Sequence, residues 1–236
     1  MHYGFIGLGN LGSKLAARLA ENGFAVTGFD TNTGFRESLE HAGVTFARSP
    51  QELASAVDHV ITCLPSPDAS SAVLDQILGA MGSDASVIEM STIGRDDAIR
   101  FAAVAERAGV GFLELPVTGG VHLAAVGELT LLAGGPASLM AVHQPALNVM
   151  GNEVIHMGPV GSASLIKVIT NMLALVHLQV CGEALMLASR GGLDLATSWQ
   201  AIAASSGDYA AEQTEAPKSP EGSYANGETR ARAPTD

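Results

Sequence analysis

The sequence predicts an α/β protein: a doubly wound, mostly parallel sheet over residues 1–160, followed by an all-α region that begins with a long helix. Three observations support this fold class. Short apolar runs of strand length alternate with helix-like stretches, on connections of a few residues. A glycine-rich turn separates the first run from the first helix, and residues 164–189 form an apolar run too long for a strand. We therefore expect six or seven strands before the helical region.

The chain opens with a strand, a glycine turn and a helix. Residues 3–6 suit a short buried strand, and Gly7, Gly9 and Gly12 follow with the G-x-G-x-x-G spacing. The first glycine of such a turn allows the tight bend, the second leaves room for a pyrophosphate, and the third lets helix and strand pack closely. A glycine turn without a ligand shares this spacing, but the helix N–H groups favour a bound dinucleotide. The predicted cofactor-binding residues of the turn are Gly7, Leu8, Gly9, Asn10, Leu11 and Gly12.

The second apolar run predicts which dinucleotide is bound. It spans residues 24–29 and ends at Asp30, eighteen residues after Gly12, where a carboxylate can accept hydrogen bonds from the adenosine ribose hydroxyls. The same carboxylate would repel a 2′-phosphate, and residues 31–33 offer no positive charge. Arg36 is the nearest cation. We therefore expect NAD as the cofactor rather than NADP.

The composition predicts a soluble, acidic protein without nucleic acid or membrane partners. The chain has 236 residues, 47% of them hydrophobic, and a net charge of −12, which would repel polyanions. Its first strand begins at residue 3, so we expect no leader segment and a cytoplasmic location. Cys63 and Cys181 lie in separate apolar segments and are predicted to be reduced core residues. The seven histidines lack ligand spacing, so no metal is expected.

The long apolar run at residues 164–189 is predicted to be buried in protein rather than in lipid. A lipid-facing helix would scarcely tolerate its polar positions. A helix that is apolar on every side needs a cover, from this chain or from another subunit. We therefore expect a homo-oligomer that forms through this helix. Its polar positions are Lys167, Asn171, His177, Gln179 and Glu183.

Two later strands end in turns that face the same edge of the sheet as the glycine turn. One, over residues 57–64, stops at Pro65, and the other, over residues 86–90, is followed closely by Thr92. Because the carboxyl ends of parallel strands line the ligand crevice, Leu64, Pro65 and Thr92 are predicted to contact the cofactor. Ordinary strand-to-helix turns fit the local sequence equally well.

Two further stretches contain groups suited to chemistry. The turn after the predicted strand at residues 111–115 presents the Thr118 hydroxyl and the unhindered N–H groups of Gly119 and Gly120, which can hold a carboxylate. Lys167 lies in the long helix with Asn171 four residues on, so a substrate oxygen would meet an amine and an amide on one face. On these residues alone, a glycine loop without a ligand and a lysine that extends to water are the alternatives.

Together these motifs resemble those of the β-hydroxyacid dehydrogenases, and among them the 3-hydroxyisobutyrate dehydrogenases. The resemblance runs from residue 3 to about Gly207 and implies a Rossmann-type dinucleotide domain. Six motifs in order make it more specific than any one of them. They are F-I-G-L-G-N-L-G at 5–12, L-P at 64–65, S-T-I at 91–93, P-V-T-G-G at 116–120, G-E-L-T at 127–130 and K-x-x-x-N at 167–171.

The resemblance implies a role for each candidate residue. Lys167 is the acid/base that takes the proton of the substrate hydroxyl while hydride passes to the nicotinamide, and Asn171 orients the reacting oxygen. Thr118 stands where the family usually has serine and, with Gly119 and Gly120, holds the substrate carboxylate. The implied reaction converts 3-hydroxyisobutyrate to methylmalonate semialdehyde, while tartronate semialdehyde and threonate stay open as substrates. Imine reductases share the fold but lack a lysine at this position.

The resemblance also implies how the chain is divided. Residues 1–160 form the dinucleotide-binding domain, and residues 161–206 form the start of a helical substrate and dimerisation domain, which continues in family members. Residues 207–236 contain no Leu, Ile, Val, Phe or Met, and we expect this tail to be disordered. The alternative function is a dinucleotide-binding protein without turnover, because the substrate domain is incomplete.

Overall fold

A computed structural model of the chain describes residues 1–205, in which nine strands form one sheet. The strands are β1 (His2–Ile6), β2 (Ala25–Phe29), β3 (Thr45–Phe46), β4 (His59–Thr62), β5 (Ser86–Glu89), β6 (Gly111–Glu114), β7 (Val117–Thr118), β8 (Leu129–Gly134) and β9 (Gly151–Gly158). The helices are α1 (Gly12–Glu21), α2 (Arg36–His41), α3 (Pro50–Ala56), α4 (Pro67–Ile77), α5 (Arg95–Arg107), α6 (Val121–Val126), α7 (Ala137–Met150), α8 (Ser162–Arg190) and α9 (Leu195–Ala203).

The sheet confirms the predicted doubly wound, mostly parallel architecture. Its strand order is β3-β2-β1-β4-β5-β6-β8-β7, with β9 paired to β8. The first six strands in this order are parallel, whereas β8 runs antiparallel to β6 and β7. The strand order reverses between β1 and β4, which is where ligands bind in open sheets of this type. The prediction of six or seven strands was too low, and one of the additional strands is the short β7 at residues 117–118, where a turn was expected.

Strand β1 shows how the sheet is held between two helical layers. Because successive side chains of a strand point to opposite faces, Tyr3 and Phe5 enter one hydrophobic core and Ile6 enters the other. The first core includes residues of α1, α6 and α7, and the second includes residues of α3, α4 and α5. Phe5 and Ile6 are at most 2% exposed, and burying such a side chain contributes about 1.5–3 kcal/mol.

Two helices on the second layer begin with the same Ser-Pro signal. Ser49 precedes Pro50 at the start of α3, and its hydroxyl accepts a hydrogen bond from the Glu52 N–H at 3.1 Å. Ser66 precedes the first residue of α4 in the same way, and its hydroxyl accepts from the Ala69 N–H at 3.2 Å. Serine satisfies an otherwise unpaired N–H and proline suits the first helical position. The second cap fixes the short turn between β4 and α4.

Helix α8 is less covered than the sequence predicts. It has 29 residues, of which only Ala163 and Ser164 are buried within the described chain. The apolar side chains of Leu165, Met172 and Leu175 are 46%, 54% and 66% exposed. The helix is long and apolar enough to cross a membrane, with a mean hydropathy of 1.5, although one such helix is weak evidence for a span. No cover for this face comes from residues 1–205, and its burial between subunits stays a prediction.

The described chain divides into two compact units, with the division between Val176 and His177 inside α8. The first unit contains the sheet and the start of α8. The second contains the rest of α8 and helix α9, whose N-cap Asp194 accepts a hydrogen bond from the Thr197 N–H at 2.8 Å. The predicted domain boundary at residue 160 stays a prediction, and the predicted tail at residues 207–236 lies outside the described residues.

Candidate active site

The glycine turn joins β1 to α1 as predicted, and each glycine has a distinct environment. Gly7 has a φ of 95°, which would strain any other residue. A side chain at Gly12 would overlap the Gly7 carbonyl oxygen, so the third glycine permits α1 to start close against the turn. Gly9 faces open space, since nothing lies within 4 Å of the position that its Cβ would take. A pyrophosphate at the first turn of α1 needs this space, so the turn fits a dinucleotide.

We expect Gly9→Ala to raise the Kd for NAD by about tenfold or more while leaving the melting temperature unchanged, because its methyl group enters only the space assigned to the pyrophosphate. Gly12→Ala is the matched control. Its methyl group meets the Gly7 carbonyl oxygen, so this variant should melt at a lower temperature even without cofactor. Calorimetric titration and thermal unfolding measure the two effects. Normal NAD binding by Gly9→Ala would show that the pyrophosphate lies elsewhere.

Asp30 lies at the end of β2, directly beside the glycine turn. Its Oδ2 accepts a hydrogen bond from the Leu8 N–H at 2.6 Å, and its Oδ1 accepts one from the Asn32 N–H at 2.7 Å. These bonds fix the carboxylate while leaving lone pairs for ribose hydroxyls. Arg36, the nearest cation in sequence, is already engaged: its Nε lies 3.0 Å from Glu40 Oε1 and its guanidinium lies over the Phe46 ring at 4.6 Å.

A cavity of about 410 Å³ opens beside the carboxyl ends of β4 and β5. It brings together most of the site residues predicted from sequence. Those that line it are Leu11, Leu64, Pro65, Thr92, Thr118, Gly119, Gly120, Lys167 and Asn171. The predicted residues that lie outside its lining, in the turn after β1 and at the end of β2, are Gly7, Leu8, Gly9, Asn10, Gly12 and Asp30. Lining residues that were not among the predicted site residues are Cys63, Met90, Ser91, Val117 and Val121.

Lys167 enters the cavity from α8, one helical turn before Asn171, and both side chains line it. The lysine is half-buried, and this burial lowers the pKa of its amine below the usual 10.5. Within residues 1–205, no carboxylate lies within ion-pair distance of it. A desolvated amine without a partner is a candidate proton acceptor, and the neighbouring amide can hold the oxygen that loses the proton.

The turn that precedes α6 lines the same cavity as Leu11 of the glycine turn. Thr118 ends β7, where it pairs with Thr130 of β8, and its side chain is exposed toward the cavity. Gly119 and Gly120 follow with φ values of 126° and 84°, a backbone path that other residues rarely adopt. The turn therefore offers a hydroxyl and backbone N–H groups to an anion. Among residues 1–205, no three His, Cys, Asp or Glu side chains gather as metal ligands.

A buried polar network around Glu89, at the edge of the cavity, was not predicted from the sequence. Ser91 donates its backbone N–H to Glu89 Oε1 at 2.8 Å, and its hydroxyl accepts from the Leu64 N–H at 2.8 Å. Burial raises the pKa of Glu89, whose Oε2 has no hydrogen-bond partner among the described residues. Burial also raises the pKa of Cys63 to about 12, so this thiol stays protonated. The available signal was a carboxylate inside the apolar run at residues 87–90.

Two protein-family models match the chain. One, for the NAD-binding domain of 6-phosphogluconate dehydrogenase, matches residues 2–158. The other, for the NAD-binding region of NADP-dependent 3-hydroxyisobutyrate dehydrogenase, matches residues 161–231. The second match reaches beyond Gly207, where the motif resemblance ends. The two descriptions name both cofactors, so they show a dinucleotide-binding family without deciding between NAD and NADP.

Individual relatives cover most of this chain. Rat mitochondrial 3-hydroxyisobutyrate dehydrogenase is 35% identical over 81% of the chain, which spans 58% of the rat protein. The NAD-dependent L-serine dehydrogenase of Pseudomonas aeruginosa is 32% identical over 86% of the chain and 69% of its own length. The solved structure of Mycobacterium tuberculosis 3-hydroxyisobutyrate dehydrogenase with L-serine has a TM-score of 0.81 and 33% identity, covering 88% of this chain and 72% of that one. The chain belongs to the β-hydroxyacid dehydrogenase family, among the relatives of 3-hydroxyisobutyrate dehydrogenase.

Proposed function

We propose that this protein oxidises a small β-hydroxyacid with NAD, using Lys167 as the general base. The observation that carries the proposal is the shared cavity. A desolvated amine, an amide four residues on and an anion-holding turn all face the end of a dinucleotide-binding crevice. None of these features is specific alone. Together they supply a proton acceptor, a group that orients the oxygen and a site for the carboxylate, which are the groups that hydride transfer from an alcohol requires.

The chemistry divides among the residues of the cavity. When bound, NAD supplies the acceptor for the hydride that leaves the carbinol carbon. The Lys167 amine takes the hydroxyl proton as the C–O bond becomes a carbonyl. The positive charge that hydride loss would otherwise leave on the oxygen therefore does not develop. The Asn171 amide donates a hydrogen bond to that oxygen and orients it. Thr118 and the following glycines hold the carboxylate, which places the hydroxyl against the amine.

The proposed substrate is a short acid with its hydroxyl on the carbon β to the carboxylate. The cavity of about 410 Å³ must also admit the nicotinamide end of the cofactor, which leaves room for only a few heavy atoms of substrate. The relatives named for 3-hydroxyisobutyrate and L-serine share a 3-hydroxypropanoate skeleton. Tartronate semialdehyde and threonate are the alternative substrates, and both are small hydroxylated acids.

NAD is the proposed cofactor because of the charges at the end of β2. The fixed carboxylate of Asp30 would repel a 2′-phosphate, and Arg36 is held by Glu40 and Phe46 instead of pointing freely to the site. Residues 31–33 contribute only hydroxyl and amide groups. This arrangement favours the unphosphorylated ribose.

A spectrophotometric assay of NADH formation over a panel of hydroxyacids tests the proposal. The panel contains 3-hydroxyisobutyrate, L-serine and threonate, with tartronate semialdehyde assayed in reverse and NADP compared in each case. We expect a 3-hydroxypropanoate derivative to give the highest kcat/KM, and NAD to exceed NADP by about tenfold or more. Light scattering on the same sample reports whether copies associate through the exposed face of α8.

The second candidate function is NAD binding without turnover. It is favoured by one observation, the exposure of Leu165, Met172 and Leu175 on the helix that carries Lys167. If other elements or another copy must cover this face to complete the site, the chain alone would bind NAD without oxidising any hydroxyacid. Calorimetric binding of NAD together with a silent assay over the whole panel would support this second function.

A further inference from the structure

Glu114 is a buried carboxylate that the proposed chemistry does not use. It is the last residue of β6 and is fully buried. At the carboxyl ends of the strands it pairs in register with Glu89 of β5 on one side and with Gly134 of β8 on the other. A side chain at Gly134 would overlap the Glu114 carboxylate. The neighbouring strand therefore leaves the space that this carboxylate fills.

Within residues 1–205, every hydrogen bond that the Glu114 side chain accepts comes from the first turn of α8 or from Gly161 just before it. Its Oε1 accepts from the Gly161 N–H at 2.7 Å and from the Ala163 N–H at 2.9 Å. Its Oε2 accepts from the Ser164 N–H at 3.2 Å and from the Ser164 hydroxyl at 2.5 Å. The first N–H groups of a helix have no partner within the helix, and a carboxylate that accepts several of them is a strong, charge-assisted cap. The cap comes from another element, so it also attaches α8 to the sheet.

This attachment decides where the lysine lies. Lys167 follows Ala163 by four residues and Ser164 by three, so it projects from the turn directly above the capped one. Ala163 and Ser164 are also the only buried residues of α8 within the described chain. Nothing further along the helix fixes it as firmly, and a small change of angle at the cap would displace the amine from the cavity.

We infer that Glu114 is a positioning residue for Lys167: its carboxylate holds the first turn of α8 against β6 and thereby sets where the amine enters the cavity. A role for Glu114 in catalysis rests on the proposed function, whereas its role in placing the Lys167 amine does not. The test therefore starts from a measurement that needs no turnover.

The chain contains only three lysines, Lys14, Lys167 and Lys218, so reductive methylation with ¹³C-formaldehyde gives few resonances besides that of the amino terminus. Lys167→Arg assigns the resonance of interest, and its pH titration gives the pKa. Glu114→Gln keeps the shape of the side chain but replaces one acceptor oxygen with a donor. We expect the Lys167 pKa to rise toward its usual value in this variant, because the displaced amine becomes hydrated.

The direction of the change separates two explanations. Loss of a nearby negative charge alone would lower the lysine pKa further, whereas loss of position raises it. A fall, or no change, would overturn the inference. Ser164→Ala removes one bond to the same carboxylate and should give a smaller rise. Glu89→Gln is the matched control, since it replaces the carboxyl of the register partner, which makes no hydrogen bond to α8 within residues 1–205, and it should leave the Lys167 titration unaltered.

Kinetics complete the test in the full chain. Glu114→Gln should lower kcat by about tenfold to a hundredfold with the KM for NAD within about twofold, because the glycine turn is untouched. If the wild type turns over a hydroxyacid and the variant matches it in kcat, the inference is wrong. If no hydroxyacid is turned over but the Lys167 pKa still rises in Glu114→Gln, the positioning role stands and the proposed function is wrong.

Discussion

Replacing Lys167 with alanine is expected to lower kcat for hydroxyacid oxidation by about 10³-fold, within the range for loss of a general base, while the Kd for NAD stays within about twofold. The amine lines the cavity from α8, whereas Gly9 and Asp30, which we propose to hold the other end of the cofactor, lie outside its lining. Its removal therefore deletes proton transfer and leaves most cofactor contacts in place. Stopped-flow or steady-state NADH formation and calorimetric NAD binding measure the two quantities separately.

Lys167→Arg distinguishes proton transfer from simple attraction of the substrate carboxylate. Arginine keeps the positive charge but does not deprotonate at accessible pH, so this variant should be nearly as inactive as the alanine variant. Lys14→Ala on the exposed side of α1 removes a lysine without touching the cavity and should retain full activity. Turnover by Lys167→Arg at a rate near the wild type would assign the residue to binding and not to acid/base chemistry.

The pH profile should follow from the same residue. Only the neutral amine can accept a proton, so kcat/KM for oxidation rises with pH and levels off above the lysine pKa. Burial lowers that pKa below the usual 10.5, which brings the neutral form toward physiological pH. The rising limb should be absent from any residual activity of Lys167→Arg.

Local motifs allowed the backbone geometry on the cofactor side of the candidate site to be predicted from the sequence. Gly7, Gly9 and Gly12 each depend on backbone geometry within a few residues, and Asp30 follows at the distance that one helix and one strand impose. Lys167 and Asn171 could be paired because helical spacing is fixed. In each case a short motif or a fixed spacing between elements carries the information.

The residues that support the site could not be found in this way. In the sequence, Glu114 is a single polar residue near the end of a predicted strand. Its hydrogen-bond partners, at 161–164, are about fifty residues further along the chain. Ser91, which follows β5, likewise accepts a hydrogen bond from the Leu64 N–H, which follows the adjacent strand β4. The pairing of β6 with β8, and the space above Gly134, exist only in the folded sheet. Helix α8 was expected to be covered because its sequence is apolar all round, but composition does not say which molecule provides the cover.

The opposite edge of the sheet holds a second buried polar network, away from the cofactor. Tyr3, His59 and Ser86 are register partners at the amino ends of β1, β4 and β5. His143 of α7 joins them: its Nδ1 lies 3.0 Å from the Tyr3 hydroxyl, and its Nε2 lies 2.9 Å from the Ser86 hydroxyl. The same Ser86 oxygen lies 2.9 Å from His59 Nδ1, and the two imidazole rings meet edge to face at 4.6 Å. Two imidazoles this close cannot both be charged without strong repulsion.

This network predicts a loss of stability in mild acid. Burial, and secondarily the neighbouring His59, lower the pKa of His143 to about 4, whereas an unfolded histidine titrates near 6.5. Burial also lowers the pKa of His59, although the nearby Asp58 opposes this. Between pH 6.5 and pH 4 the unfolded chain therefore binds a proton that the folded chain does not, so the free energy of unfolding falls as the pH falls. His143 alone contributes about 3 kcal/mol to this fall, and nothing above pH 7.

Urea unfolding at pH 7.5, 6 and 5 measures this dependence, with His143→Gln as the decisive variant. Glutamine keeps hydrogen-bonding groups near Tyr3 and Ser86 but does not titrate, so the variant should start less stable at pH 7.5 and then lose less on acidification than the wild type. His41→Gln, on the exposed surface of α2, controls for removal of any histidine and should keep the wild-type slope. Parallel losses in the wild type and His143→Gln would assign the acid sensitivity to carboxylates instead. A shallower slope in His143→Gln would show that the amino edge of the sheet tolerates these imidazoles only while they are neutral.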